Sequence, residues 1–367
     1  MLRYFSVSGY KNFDRPVELD FSDARDYQFN GNCINNGLLG KIIIYGKNAS
    51  GKSNFAQALA DIYSILPGKS AGYEKGLYLN IHNTNGYAEF TYVFQFDNDT
   101  VEYIYRKTAP LKMIYEQVSL NGQLLFCFDR HNPGGLEAPG LKELAPTLNL
   151  AFENVENVFG YVIANTPLDS GHPLRKVRAF VDCVKLDAFS EGLNSYTEVY
   201  SELVANTAGV FIELLTELLQ LAGVSDQLTV LEDLTGKKGL FFDTVPPMPF
   251  TQAASSGTKA LCSLSMLYAA AKFGGAGRPA LFILDEFDAF YHHELAERIV
   301  KMFLEYPHVQ VVFTSHNTSL LSNRFMRPDC FFIMTHNKLT SFANATQREL
   351  REGHNLEKLF VGGEFDA

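Results

Sequence analysis

One short run constrains this chain more than any other: Gly46-Lys47-Asn48-Ala49-Ser50-Gly51-Lys52-Ser53, entered directly from the apolar stretch Lys41-Ile42-Ile43-Ile44-Tyr45. The pattern G-x-x-x-x-G-K-[S/T] arises by chance in a chain of this length roughly one or two times in a hundred. Its surroundings lower that figure. The stretch before it reads as a strand buried on both faces. After it, Phe55, Leu59, Ile62 and Ile65 recur at helical spacing until Pro67 and Gly68 stop the helix. Between a buried strand and a helix, such a loop turns its backbone N–H groups, with the helix N-terminus, toward phosphate oxygens. Lys52 would then reach the β- and γ-phosphates and the Ser53 hydroxyl would hold Mg²⁺. A glycine turn with an exposed lysine is the alternative, and the flanking strand and helix disfavour it.

Three further elements follow in order. Ala254-Ser255-Ser256-Gly257-Thr258-Lys259 opens a helix that runs through Phe273, with serines in the N-cap position. By itself this is a capped helix or an anion-binding helix N-terminus, at even weight. Ala280-Leu281-Phe282-Ile283-Leu284-Asp285-Glu286 is a buried strand ending in two carboxylates, at the sheet edge where α/β folds place ligands. There Asp285 can orient Mg²⁺ while Glu286 polarises a water. As an isolated pattern it is usually structural; beside a phosphate loop it gains force. Val309 to Thr314 is a further buried strand, followed by Ser315-His316-Asn317. A histidine there is often a polar cap, but this one falls one βα unit after the carboxylates, where a γ-phosphate sensor belongs. The helix between carries a core face of Leu295, Ile299, Met302, Phe303 and Tyr306.

Around these motifs the chain divides into four parts. Residues 1–74 form the first part of the core and 75–140 an antiparallel β segment with turns at Asp97-Asn98-Asp99 and Asn121-Gly122. Residues 141–227 form a helical lobe, and 228–367 complete the core, beginning with a hairpin near Leu228 to Thr244. Helix, strand, helix and strand then alternate as in a parallel sheet. The five cysteines are scattered and never in a C-x-x-C pair, which argues against disulfides and zinc and for reduced thiols. No signal peptide or membrane-spanning run is visible, so a cytoplasmic protein is expected. The net charge of −10 is the opposite of a footprint for nucleic-acid phosphates. The best basic cluster, Arg175, Lys176 and Arg178, reads as a solvated helix face.

The order of glycine loop, serine-glycine helix start, Asp-Glu strand and histidine strand resembles the ATP-binding-cassette ATPases, in the soluble branch of RecF, SMC and OLD-like proteins. Further features are similar to a subgroup found in bacterial abortive-infection and anti-phage systems, which includes RloA and the PARIS-system ATPase. They are Phe5-Ser6-Val7 with Lys11-Asn12-Phe13, the Ser-Ser-Gly-Thr form, Asp285 to Asp288, Thr314 to Thr318, and His354 to Lys358. The resemblance covers both ends of the chain well and the middle loosely. It implies an α/β fold, a P-loop NTPase head of ABC type with an antiparallel β insertion and a helical lobe. It implies Mg²⁺-dependent ATP hydrolysis by Lys52, Glu286 and His316, with Mg²⁺ on Ser53 and Asp285. ATP would be held by Gly46, Asn48, Ala49, Ser50, Gly51, Lys52, Ser53 and Asn54 of one head and by Ser255, Ser256, Gly257 and Thr258 of another. An ATP-dependent homodimer that controls a separate effector such as a nuclease, in response to DNA or a phage-derived trigger, is the implied switch. A RecF/SMC-like repair ATPase is the alternative, and a detached transporter cassette is disfavoured. Three departures are visible. No Q-loop glutamine can be placed, since Gln95 and Gln117 fall in β structure. His292 stands where many relatives carry an aspartate. The chain ends soon after the last ATPase strand, leaving no room for the Toprim nuclease of a full OLD protein.

Overall fold

Two strand patterns in the sequence become two sheets: alternating segments build an antiparallel one, continuously apolar segments a mostly parallel one. The structure, a computed structural model, describes residues 1–66, 77–132, 134–188, 209, 211–232, 236, 238–273 and 280–365. In chain order its main elements are β1 (Leu2–Ser8), β2 (Val17–Asp20), β3 (Lys41–Tyr45), α1 (Lys52–Ala60), β4 (Ala88–Phe96), β5 (Asp99–Ala109), β6 (Lys112–Leu120) and β7 (Gln123–Asp129). There follow α2 (Val158–Asn165), α3 (Pro173–Val181), β8 (Val184–Ala188), β9 (Leu228–Glu232), β10 (Lys238–Phe242), α4 (Ser256–Phe273), β11 (Ala280–Asp285), α5 (His293–Leu304), β12 (Val309–Ser315), β13 (Phe331–Thr335) and β14 (Lys338–Ser341).

The parallel sheet runs β8-β11-β12-β3-β13-β14, and only β14 is antiparallel to its neighbour. Every residue of β3, β11 and β12 is buried, as strands covered on both faces must be. The fold is therefore the α/β class expected, with the glycine loop leaving a central strand. One strand differs from the sequence reading. The stretch from 141 to 223 reads as mostly helical, yet β8 lies inside it and pairs with β11. Val184-Lys185-Leu186-Asp187 lacks a continuous apolar run, as suits a strand that among the described residues is paired on one side only. The helical portion described consists of a short helix at Pro139–Leu144, α2, α3 and a helix over 211–221, where Phe211, Leu215 and Leu218 are fully buried. Tyr200 and Leu203, which helical spacing in this stretch marks as buried, lie outside the described residues, as do Pro67 and Gly68, expected to stop the helix after the glycine loop.

The antiparallel sheet runs from a two-residue strand at Leu136–Glu137 through β7-β6-β5-β4-β1-β2. Its turns at Asp97 and at Asn121-Gly122 take positive φ, as tight hairpins require. The strands after residue 88 extend the N-terminal hairpin, because β4 pairs with β1. The expected hairpin after residue 228 is present as β9 and β10. Helix α1 lies between the sheets, touching β8, β11 and β12 on one side and β1 on the other. Phe55 of α1 meets Phe5 of β1 edge-on, centroids 5.5 Å apart. All five cysteines are free thiols. Among the described residues no helix is long and apolar enough to cross a membrane.

Candidate functional site

Three adjacent strands, β11, β12 and β3, end at one carboxyl edge, with Leu284 beside Phe313 and Ser315 beside Tyr45. The glycine loop, Asp285 with Glu286, and His316 leave those strand ends.

The glycine loop turns sharply out of β3. A Cβ at Gly46 would lie 2.5 Å from Ser50 Oγ and 2.7 Å from the Met334 carbonyl oxygen of β13, so only glycine fits. At Gly51 φ is +104°, and a Cβ there would run into the Asn12 side chain. Ala49 takes the left-handed region at φ 62°, which costs a non-glycine residue about 1–2 kcal/mol. Asn48 and Ala49 form the tip, closed by the Ser50 N–H donating to the Lys47 carbonyl at 3.1 Å. Ser50 Oγ is buried and has no hydrogen-bond partner among the described residues. Helix α1 then starts at Lys52 with no side-chain cap. Its first N–H groups, on Lys52, Ser53 and Asn54, therefore have no acceptor within the helix. Phe55 is the first to bond back, to Gly51 at 2.8 Å. An uncapped helix start, an orphaned hydroxyl and a glycine cradle fit a phosphate group.

Lys52 is buried, and its Nζ donates to the carbonyl of Gly46 at 3.0 Å and more weakly to that of Lys47 at 3.4 Å. Burial lowers its pKa from the ordinary lysine value, while Glu286 and Asp285 pull it back up. Asp285, 3% exposed, accepts a hydrogen bond from Thr314 Oγ1 at 2.6 Å, with the Ser53 hydroxyl nearby. Burial pushes its carboxyl up, and the Thr314 and Ser53 hydroxyls oppose the shift. A hydroxyl and a carboxylate so placed are the hard oxygen donors that Mg²⁺ prefers. Glu286 also adopts a left-handed backbone, φ 50°, and its N–H donates to Thr314 Oγ1 at 2.8 Å. The Glu286 carboxylate stands 3.6 Å from His316 Nε2. Asn54 donates to Asn12 Oδ1 at 2.7 Å.

The serine turn is placed differently. Ser255 and Ser256 are exposed. Ser255 Oγ accepts from the Thr258 N–H at 3.2 Å and lies 2.8 Å from the Thr258 hydroxyl, a side-chain cap for α4. Gly257 stands 3.5 Å, by its Cβ position, from the Phe290 carbonyl. Among the described residues no hydrogen bond or ion pair joins this turn to the glycine loop. Arg175, Lys176 and Arg178 sit on α3, where Lys176 pairs with Asp97 at 3.1 Å and Arg178 with Asp182 at 3.2 Å, so that cluster is a paired surface face. Gln95 and Gln117 lie in β4 and β6. His292 caps the start of α5 by position, without a side-chain bond.

Three contributors lie in segments that carry the resemblance, but their roles could not be read from sequence alone. Thr314 is simply the penultimate residue of an apolar strand. Asn12 reaches Gly51 only because β1 packs beside α1. Asp288 holds the Ser315 hydroxyl at 2.6 Å, joining the turn after β11 to the end of β12.

Comparison with known proteins adds one family match. Residues 172–322 match the family described as "AAA domain, putative AbiEii toxin, Type IV TA system". That region is less than half of the chain; it contains the serine turn, Asp285, Glu286 and His316, and begins after the glycine loop. A structure described as the SmcHead bound to the C-winged helix domain of ScpA is 18% identical, with TM-score 0.48, over 93% of this chain and 97% of that one. An SMC head domain from Thermotoga maritima is 17% identical, with TM-score 0.40, over 93% and 98%. At these scores the fold assignment rests on strand order and register instead. No curated protein matches.

Proposed function

We propose that this chain is a Mg²⁺-dependent ATPase that works as a switch, its nucleotide held between two heads and its output the control of a separate effector in anti-phage defence. The observation that carries the reading is the meeting of Lys52, Ser53, Asp285, Glu286 and His316 at one sheet edge, with the serine turn exposed and apart from its own loop. Lys52 offsets the charge of the terminal phosphates, and the uncapped start of α1 donates N–H groups to them. Ser53 and Asp285 hold the metal. Bound Mg²⁺ supplies charge neutralisation on the phosphate oxygens. Glu286, set by the Thr314 hydroxyl, polarises the attacking water, and His316 stands where it orients that carboxylate and senses the distal phosphate. The Ser255–Thr258 turn presents its hydroxyls and N–H groups to the nucleotide of a second head. The defence role rests on the resemblance to abortive-infection ATPases and on a family description that names a toxin. A repair ATPase on DNA has no observation in its favour, and a net charge of −10 weighs against it.

Steady-state phosphate release tests the catalytic assignment. Lys52→Ala removes binding and turnover together, whereas Glu286→Gln keeps Mg·ATP binding and slows hydrolysis on the order of a hundredfold or more. Normal turnover in either variant overturns it.

A further inference from the structure

We propose that Asp187 is a positioning residue that ties α4 to β8, the strand paired with β11, and so sets where the Ser255–Thr258 turn stands relative to Asp285 and Glu286. The inference deepens the two-head reading and rests on it.

Asp187 is 2% exposed and lies on β8 beside Leu284, one residue before the register partner of Asp285. The hydroxyl of Ser263, itself buried and two turns into α4, donates to its carboxylate. A third segment lies close enough to feel the charge of the same carboxylate. Tyr291 ends the turn that begins at Glu286, through the Ala289 N–H to Glu286 at 3.0 Å and the Tyr291 N–H to Asp288 at 3.2 Å. Its hydroxyl is buried without a hydrogen bond, and burial together with the charge of Asp187 raises its pKa well above the ordinary value. One residue earlier, Phe290 backs Gly257 of the serine turn. Edge strand and serine-turn helix thus meet at one buried acid, and the carboxylate turn reaches the same helix through Phe290 against Gly257. A buried carboxyl group needs its hydrogen-bond partners kept in place. Sliding α4 along the sheet would strip Ser263 from Asp187, so α4 is held in one register rather than free to drift. What a partner head meets is the N-terminus of that helix.

Asp187→Asn and Ser263→Ala test this in the full chain. Thermal melts establish that each variant is folded. Each should bind Mg·ATP within about twofold of the parent, because the glycine loop is untouched, and lose kcat by on the order of tenfold to a hundredfold with KM unchanged, the cost of a small misplacement. Complementation then separates positioning from folding. Mixed with Lys52→Ala, either variant should regain hydrolysis, since its intact glycine loop meets an intact serine turn from the other chain. Mixed with Gly257→Trp it should regain none, both lesions lying on the serine-turn side. Parental kcat in both variants, rescue by Gly257→Trp, or no rescue by Lys52→Ala overturns the role of Asp187. If the control pair Lys52→Ala and Gly257→Trp fails to regain activity, the two-head reading itself falls and takes this inference with it.

Discussion

The hydroxyl of Thr314 donates to Asp285 and accepts from the N–H of Glu286, so one side chain of β12 holds both the carboxylate of Asp285 and the backbone of Glu286. It also helps hold Glu286 in a left-handed conformation that costs energy and persists only when its surroundings enforce it. Asp285 stores a second cost. Burial raises its folded pKa above 3.8, so its contribution to stability is fully present below the unfolded value and lost as pH rises through the folded one. At pH 7 the ionised carboxylate therefore weakens the nucleotide-free protein. Asp285→Asn should raise Tm at pH 7 without nucleotide, and the gap should close as pH falls toward 3.8. The same variant should gain nothing from Mg·ATP, which stabilises the parent by binding its folded state. Calorimetry at several pH values with and without Mg·ATP checks both; a lower Tm for the variant at pH 7 would contradict the burial penalty.

Among the elements, α1 carries the largest share of responsibility, since its first turn is the loop's anion site and its last turn is its anchor. The anchor is Lys107 of β5, fully buried, whose Nζ lies 2.8 and 3.0 Å from the Asp61 carboxylate at the helix C-terminus. Tyr105 donates to the same carboxylate at 2.8 Å and Tyr92 to the Ala58 carbonyl at 2.9 Å. An acid at a helix C-terminus opposes the helix dipole, and the lysine reverses that. Lys107→Met should cost about 3–5 kcal/mol in urea unfolding by leaving Asp61 unpaired, and Asp61→Leu in the same chain should return much of it. Equal loss in single and double variants would refute the anchor. A similar device fixes α2: Glu116 of β6, fully buried, accepts from the Val158 N–H at 2.8 Å and from Arg130 at 3.1 Å. These two carboxylates tie the helices to the antiparallel sheet.

For the whole molecule, the two-head reading predicts that nucleotide controls assembly. Glu286→Gln should associate in Mg·ATP and remain associated, because hydrolysis is the step that releases the pair. Light scattering after size exclusion, with and without Mg·ATP, measures this. A variant that binds ATP yet stays at one mass in both conditions would leave an ATPase but remove the switch.

What the sequence alone determined are the local signals. Three apolar runs predict β3, β11 and β12, and each is buried along its whole length because a strand covered on both faces tolerates nothing else. The serine cap is equally local, set by neighbours within a few residues, and so is the glycine-loop motif as a sequence pattern, although Met334 and Asn12 from distant segments also crowd its glycines. What only the tertiary structure decided are pairings between distant segments. β8 carries charges and looks like loop or helix until β11 supplies its partner. β1 and β4, far apart in the chain, form one ladder. Asn12 against Gly51, Lys107 on Asp61 and Ser263 on Asp187 follow from how strands and helices stack. Residue pattern sets which face of an element is apolar; the order of strands in a sheet sets which elements, and therefore which polar groups, meet across it.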